Sequence, residues 1–214
     1  MKRKDAQKMI SRLKDAFKSD LEAMNALEIL QSKALLLEES SAVSVDNMTD
    51  FPIPAELQDL SEGTALFSDG ACRGNPGPGA WGILVQNARG DIVLKSSGVE
   101  LQTTNNRMEL SGVLQGLNEI LALEDIDRHR PVFVYSDSKY VIDGMKSWVK
   151  NWKERGWKKA DNKEPENVDL WKGLDEVASK FTSLHFIWVK GHAGHPQNEY
   201  CDKMCNQALD ESGI

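Results

Sequence analysis

The chain has 214 residues, of which 40% are apolar and 28% charged, and a formal net charge of −7. That length holds one domain of about 150 residues with a sizeable core, plus an appendage. The acidic balance excludes a protein that works by charge-driven, non-specific nucleic-acid binding, although a local basic patch escapes a global count. The three cysteines, Cys72, Cys201 and Cys205, are odd in number and widely spread. They fit a reducing, cytoplasmic setting better than a disulfide framework. Cys201 and Cys205 fall one helical turn apart and read as packing residues. There is no apolar segment of signal-peptide type near the N-terminus and no run of about 18 apolar residues, so neither a signal peptide nor a membrane span is expected.

Residues 1–40 read as an amphipathic helical extension. Ile10, Leu13, Phe17, Leu21, Met24, Leu27 and Leu30 recur at three- and four-residue steps with charges between them. Residues 1–18 carry seven Lys/Arg against two Asp, whereas residues 19–64 carry one Lys against ten acids. The stripe is a packing face toward the main domain or a second copy, which makes this helix a candidate for self-association or protein contacts. A basic arm gripping nucleic acid is the alternative. Residues 41–62 are polar and acidic, with Pro52 and Pro54 breaking any long helix, and read as a linker with at most one helical turn.

The main domain is expected over residues 63–214. Residues 65–68 form a first strand, which runs into Asp69 and then into a loop with Gly70, Gly74, Gly77 and Gly79. Residues 81–86 and 92–99 form a hairpin about the turn Asn87–Asp91. Thr103-Thr104-Asn105-Asn106 precedes an amphipathic helix whose apolar face includes Met108, Leu110, Val113, Leu114 and Leu117. Residues 131–136 are a fourth strand, again ending in an acid, Asp137. A helical stretch through Val141 and Ile142 follows. Residues 184–189 are a fifth strand, leading through Gly191-His192-Ala193-Gly194-His195 into a last helix from Asn198 to Leu209.

Two strands thus end in Asp69 and Asp137. Glu109 sits in the first turns of the long helix, and Asp202 on the last helix, ten residues beyond His192. If the first and fourth strands are neighbours, their acids meet at the carboxyl edge of the sheet, where open α/β sheets bind ligands. Each acid alone reads as an ordinary solvated residue. Four together repel one another and resist ionisation unless a cation joins them. An all-carboxylate site selects a hard divalent ion, Mg²⁺ or Mn²⁺, over zinc.

The ordered motifs Ser68-Asp69-Gly70-Ala71-Cys72 with Gly74-Asn75-Pro76-Gly77, then Thr104-Asn105-Asn106-Arg107-Met108-Glu109, then Ser136-Asp137-Ser138, then Trp188-Val189-Lys190-Gly191-His192-Ala193-Gly194-His195-Pro196 through Asp202 resemble ribonuclease H of the bacterial type 1 class. The resemblance covers roughly residues 64–210. It implies an α/β, ribonuclease H-like fold: a five-stranded mixed sheet flanked by helices, here with the N-terminal helical appendage. It also implies an endonuclease that hydrolyses the RNA strand of an RNA–DNA hybrid by a two-metal-ion mechanism, giving 5′-phosphate and 3′-hydroxyl ends. Asp69, Glu109, Asp137 and Asp202 match the family's ligands for two Mg²⁺ ions, with Mn²⁺ as the alternative. His192 matches its proton-shuttling histidine, a task suited to an imidazole. His195 reads as structural.

The same resemblance points to a substrate surface. Cys72, Gly74 and Asn75 offer backbone and amide groups to a 2′-hydroxyl. Thr104, Asn105 and Asn106 match residues that take a DNA-strand phosphate and straddle the two strands. Lys139 stands where relatives carry a ribose contact, and its charge favours a phosphate. Met145–Lys163 holds seven Lys/Arg against two acids, interleaved with Trp148, Trp152 and Trp157. It resembles the family's basic handle, with Trp148, Lys150 and Lys153 as candidate contacts, although tryptophans at such spacing also serve as the core of a protrusion. On this reading residues 1–60 are dispensable for cleavage. The competing readings are a catalytically silent hybrid-binding protein and another nuclease of the same superfold.

Overall fold

The structure, a computed structural model, describes residues 51–123, 126–127 and 129–213. The helix expected over residues 1–40, its self-association and the linker as far as Asp50 lie outside the described residues. The described unit begins at Phe51. Residues 51–62, read from sequence as the end of a linker, therefore pack with the domain. They contain a one-turn helix, α1 (Ala55–Gln58), which buries Leu57 completely, a contribution of about 1.5–3 kcal/mol.

The sheet contains β1 (Thr64–Cys72), β2 (Gly77–Asn87), β3 (Ile92–Thr103), β4 (Val132–Ser136) and β5 (Leu184–Trp188). Its spatial order is β3-β2-β1-β4-β5. β1, β2 and β3 form an antiparallel meander. The β2–β3 turn is fixed by Asn87, whose Oδ1 accepts from the backbone N–H groups of Arg89 and Asp91, both at 2.9 Å. β4 joins β1, and β5 joins β4, in parallel. Parallel neighbours require crossovers. The first is α2 (Asn105–Ala122). The second comprises α3 (Lys139–Asp143), a π-helical turn (Gly144–Trp148), α4 (Val149–Glu154) and α5 (Val168–Ala178). The chain then enters α6 (Pro196–Glu211). This is the five-stranded mixed sheet with flanking helices that the motifs imply.

Strand alternation sorts the core onto two faces. On one, Leu66, Ile83, Val85, Val132 and Val134 pack against α2 and the second crossover, with Trp171 fully buried. On the other, Ala65, Phe67, Leu84 and Tyr135 pack against Cys201 of α6 and Leu57 of α1. Cys201 and Cys205 are free, buried thiols. They donate to the carbonyls of Phe67 and Asp69 at 3.5 and 3.4 Å, the packing role expected of them.

Candidate active site

β1 and β4 deliver the first two acids. Their register runs through Phe67↔Tyr135, and two residues further on it sets Asp69 beside Asp137. Glu109 comes from α2, which lies unusually close to β1. A Cβ on Gly70 would collide with the backbone of Met108 and Glu109, and one on Gly112 with Ser68 Oγ. Glycine at these two positions lets the helix descend until Glu109 faces the strand end. Thr104 caps this helix, its Oγ1 accepting from Arg107 N–H at 3.4 Å. Arg107 grips Asp169 with both guanidinium nitrogens at 2.9 and 3.1 Å, fixing the helix start to α5.

One carboxylate oxygen from each of Asp69, Glu109 and Asp137 lies within 4.8 Å of the other two. Asp69 and Glu109 are buried, 8% and 6% exposed, and Asp137 is half-buried. None of the ion pairs among the described residues involves these acids or Asp202. Burial, then the charge of Asp137 and more weakly that of Asp202, pushes the Asp69 carboxyl up to about 7, against the opposing hydrogen bond from Gly70 N–H at 2.7 Å. Burial and the charges of Asp69 and Asp137 raise Glu109 well above the carboxylate range, offset in part by Asn105 Nδ2 at 3.5 Å. Glu109 Oε2 is buried without a hydrogen-bond partner. Like charges gathered in hard oxygen donors, with one orphaned carboxylate oxygen, fit a divalent cation.

Asp202 stands outside this tight group. It is half-buried on α6, where Asn206 Nδ2 donates to its Oδ1 at 3.0 Å, yet near enough for its charge to act on Asp69. His192 is exposed, at φ 50°, in the loop between β5 and α6. Its neighbour Gly191 lies so close to Asp137 that a Cβ would overlap the carboxylate Oδ2. Gly194 N–H donates to Glu199 Oε1 at 3.1 Å, tying the other end of the loop to the first turn of α6. The loop therefore hangs between Asp137 and the helix that carries Asp202. His195 is exposed at the N-cap of α6 and makes no side-chain cap.

The expected substrate residues of the first loop gather on one rim. Cys72 Sγ lies 3.2 and 3.5 Å from the carbonyls of Gly74 and Gly77, either of which can accept its one S–H, and the loop curls around it. Gly74 holds φ 77°, a conformation that favours glycine. Asn75 Oδ1 accepts from Asn105 N–H at 3.1 Å, and Asn105 in turn reaches Glu109. Asn106 is exposed beside them, and Thr104 is half-buried.

A family model for RNase H matches residues 61–210. The chain belongs to the ribonuclease H family. Ribonuclease H of Pseudomonas syringae pv. syringae (strain B728a) is 45% identical over 152 residues, covering 71% of this chain and 95% of its own. That of Rhodopseudomonas palustris (strain TIE-1) is 48% identical over 147 residues, 69% of this chain and 89% of its own. Among solved structures, LC9-RNase H1, described as a type 1 RNase H with the type 2 active-site motif, superposes with a TM-score of 0.60 at 35% identity, covering 69% of this chain and 72% of that one. The chain is a type 1 ribonuclease H, an endonuclease that cuts the RNA strand of RNA–DNA hybrids and depends on metal.

The basic stretch Met145–Lys163 runs from the π-helical turn through α4 into the loop beyond. Its tryptophans turn inward. Trp148 is half-buried, with its ring centroid 5.7 Å from Tyr140, 5.9 Å from Trp152 and 6.5 Å from Trp171. Trp157 also packs against the core, under the Lys172 ammonium at 5.7 Å. Lys150 is exposed and faces solvent, whereas Lys153 pairs with Asp175 at 2.8 Å. Lys139 is exposed, with its ammonium 5.0 Å over the Trp188 ring.

Trp188 was not singled out by sequence reasoning. Its indole N–H donates to the Asp137 carbonyl at 3.0 Å, and 43% of its surface is exposed. Its pairing opposite Ser136 makes this contact, and only the β4–β5 register, invisible in the motif itself, reveals it. No helix among the described residues is long and apolar enough to cross a membrane.

Proposed function

We propose that Asp69, Glu109, Asp137 and Asp202 would together hold two Mg²⁺ ions where the chain binds the RNA strand of an RNA–DNA hybrid. When bound, the ions lower the pKa of the attacking water and stabilise the departing 3′ oxygen. The observation that carries this reading is the set of three carboxylates within 4.8 Å of one another, which includes a buried oxygen without a partner. The chain's own contribution is placement. The short approach of α2 to β1 fixes Glu109, and the β1–β4 register fixes Asp69 against Asp137. His192, on its anchored loop, moves a proton at an imidazole nitrogen between solvent and the reacting oxygens.

The rim of Cys72, Gly74 and Asn75 offers hydrogen-bonding groups to 2′-hydroxyls of the RNA strand, and Asn105 and Asn106 reach across both strands. Thr104 and Lys139 take backbone phosphates. On the protrusion, Lys150 and Lys153 meet the DNA strand while Trp148 and its neighbouring rings hold the surface that presents them. A solved relative, LC11-RNase H1, is described in complex with an RNA/DNA hybrid, consistent with this substrate. Free thiols at Cys72, Cys201 and Cys205 suit a reducing cytoplasm.

The test is incubation of the full chain with labelled RNA–DNA hybrid, duplex RNA and duplex DNA, in Mg²⁺ and in chelator. The expected result is cleavage of hybrid RNA alone, leaving 5′-phosphates, and only with the metal. Equal cutting of duplex RNA, or cutting in chelator, would overturn the proposal.

A further inference from the structure

Residues 51–60 lie ahead of the segment that the family model matches, 61–210, yet they are built into the face of the sheet that carries α6. Leu57 is fully buried beside Phe67, Tyr135 and Cys201. Phe51 stands edge-on to Tyr200 of α6, with centroids 5.5 Å apart. Two buried glutamines then hold the segment by its backbone. Gln197, in the first turn of α6 and 4% exposed, donates from Nε2 to Pro52 O at 2.6 Å and to Gln86 Oε1 at 3.1 Å. Gln86, fully buried on β2, donates from Nε2 to Phe51 O at 3.3 Å and Gly90 O at 3.1 Å. At the other end, Tyr135 of β4 donates its hydroxyl to Glu56. Buried amides are costly to leave unpaired, so this network specifies one arrangement of the segment.

The anchor points matter because of where they sit in the chain. Tyr135 is two residues before Asp137. Gln197 is five residues after His192 and five before Asp202. The segment thus grips β4, which runs into Asp137, and α6, which carries Asp202 and takes up the end of the His192 loop, from the side of the sheet opposite Glu109.

We infer that residues 51–60 form a strap that positions the active site, with Gln197 and Glu56 as positioning residues acting through α6 and β4. The inference rests on the active-site roles proposed above. It divides residues 1–60, read from sequence as dispensable, at Asp50: the part from Phe51 onward belongs to the catalytic machinery's support.

The experiment uses point variants of the full chain. Gln197→Leu removes both donated bonds at the start of α6, and Glu56→Ala removes the acceptor of Tyr135 from an exposed position. Leu174→Ala, in the core of the opposite face, supplies a destabilised control. In each, kcat and KM for hybrid and the amide exchange of residues 190–202 are measured. The strap predicts that both variants lose roughly ten- to a hundredfold in kcat, as supporting residues of metal sites do, with KM within about twofold. It also predicts faster exchange across residues 190–202 in both, and neither effect in the Leu174→Ala control. Should Gln197→Leu fail to fold, Glu56→Ala still reads the strap. Wild-type kcat and exchange in Glu56→Ala, or the same losses in Leu174→Ala, would overturn it. The exchange measurement stands even if the wild-type chain proved inert on hybrid, so failure of the hydrolytic reading and failure of the strap are separable.

Discussion

The acid cluster and the basic protrusion differ in sign and, more tellingly, in how the charge is held. Asp69, Glu109 and Asp137 crowd together with two of the three buried, and none of the ion pairs among the described residues reaches them. In the protrusion the charges stand in solvent, and the aromatic rings between them are packed on Tyr140 and Trp171. Lys153 even has its own counter-ion, Asp175. Unrelieved electrostatics marks the place where chemistry and a cation belong, and a satisfied, packed region marks a surface that presents charge. The first is fragile to the loss of single atoms. The second degrades gradually.

The largest effect is therefore expected at the cluster. Asp69→Asn should lower hybrid cleavage in Mg²⁺ by at least about a thousandfold, the scale on which a central electrostatic group acts, in a steady-state assay. The same variant should change stability in the opposite sense. Asp69 titrates at about 7 in the folded chain against an ordinary value of 3.8, so the folded state keeps a proton that the unfolded chain has lost. Its contribution is full below about pH 4 and is lost as pH rises through about 7. Urea unfolding of metal-free protein from pH 4 to 8 should show wild type weakening over that window. Asp69→Asn should be flatter and, at pH 8, more stable by a few kcal/mol, on the order of the pKa displacement. Equal slopes for the two proteins would break the contrast between strained cluster and relaxed protrusion.

Next in size is Gly191→Val. A side chain there meets the Asp137 carboxylate, and the loop that carries His192 must move. We expect kcat to drop about a hundredfold with little change in KM, as for a misplaced catalytic group. Smallest are the single charges of the protrusion. Lys150→Ala should raise KM several-fold and reduce the salt dependence of binding by about one counterion. Lys153→Ala should do less, because Asp175 already holds that ammonium. A thousandfold loss from either lysine would erase the distinction between the regions.

Much of this was legible in the sequence. An apolar strand running into an acid, twice, is a local signal, and the parallel pairing of β1 with β4 turns it into a pair of adjacent carboxylates. The glycines of α2 are visible in the sequence as well, but that Gly112 lies on Ser68, and so brings Glu109 down to the site, is a fact of packing. Helix α5 leaves a trace in the sequence, since Leu170, Trp171, Leu174 and Val177 share one helical face, but the polar run before it hides its start at Val168. Trp148 shows the limit of composition: a tryptophan among lysines looks like a nucleic-acid contact, and the structure sets its ring among Tyr140, Trp152 and Trp171. Residues 51–60 read as linker because Pro52 and Pro54 break any long helix and an acidic, polar run precedes them, although half of the ten are apolar; the burial of Leu57 and the clamp of Gln86 and Gln197 depend on partners up to 145 residues away.

If Asp69, Glu109 and Asp137 form one cation site, removing a single carboxylate abolishes binding. The direct measurement is Mn²⁺ binding to the full chain, counted by the electron paramagnetic resonance signal of the free ion, in wild type and in Asp69→Asn. Saturable binding in wild type that disappears in Asp69→Asn is the predicted result. Equal binding by the two proteins would contradict it.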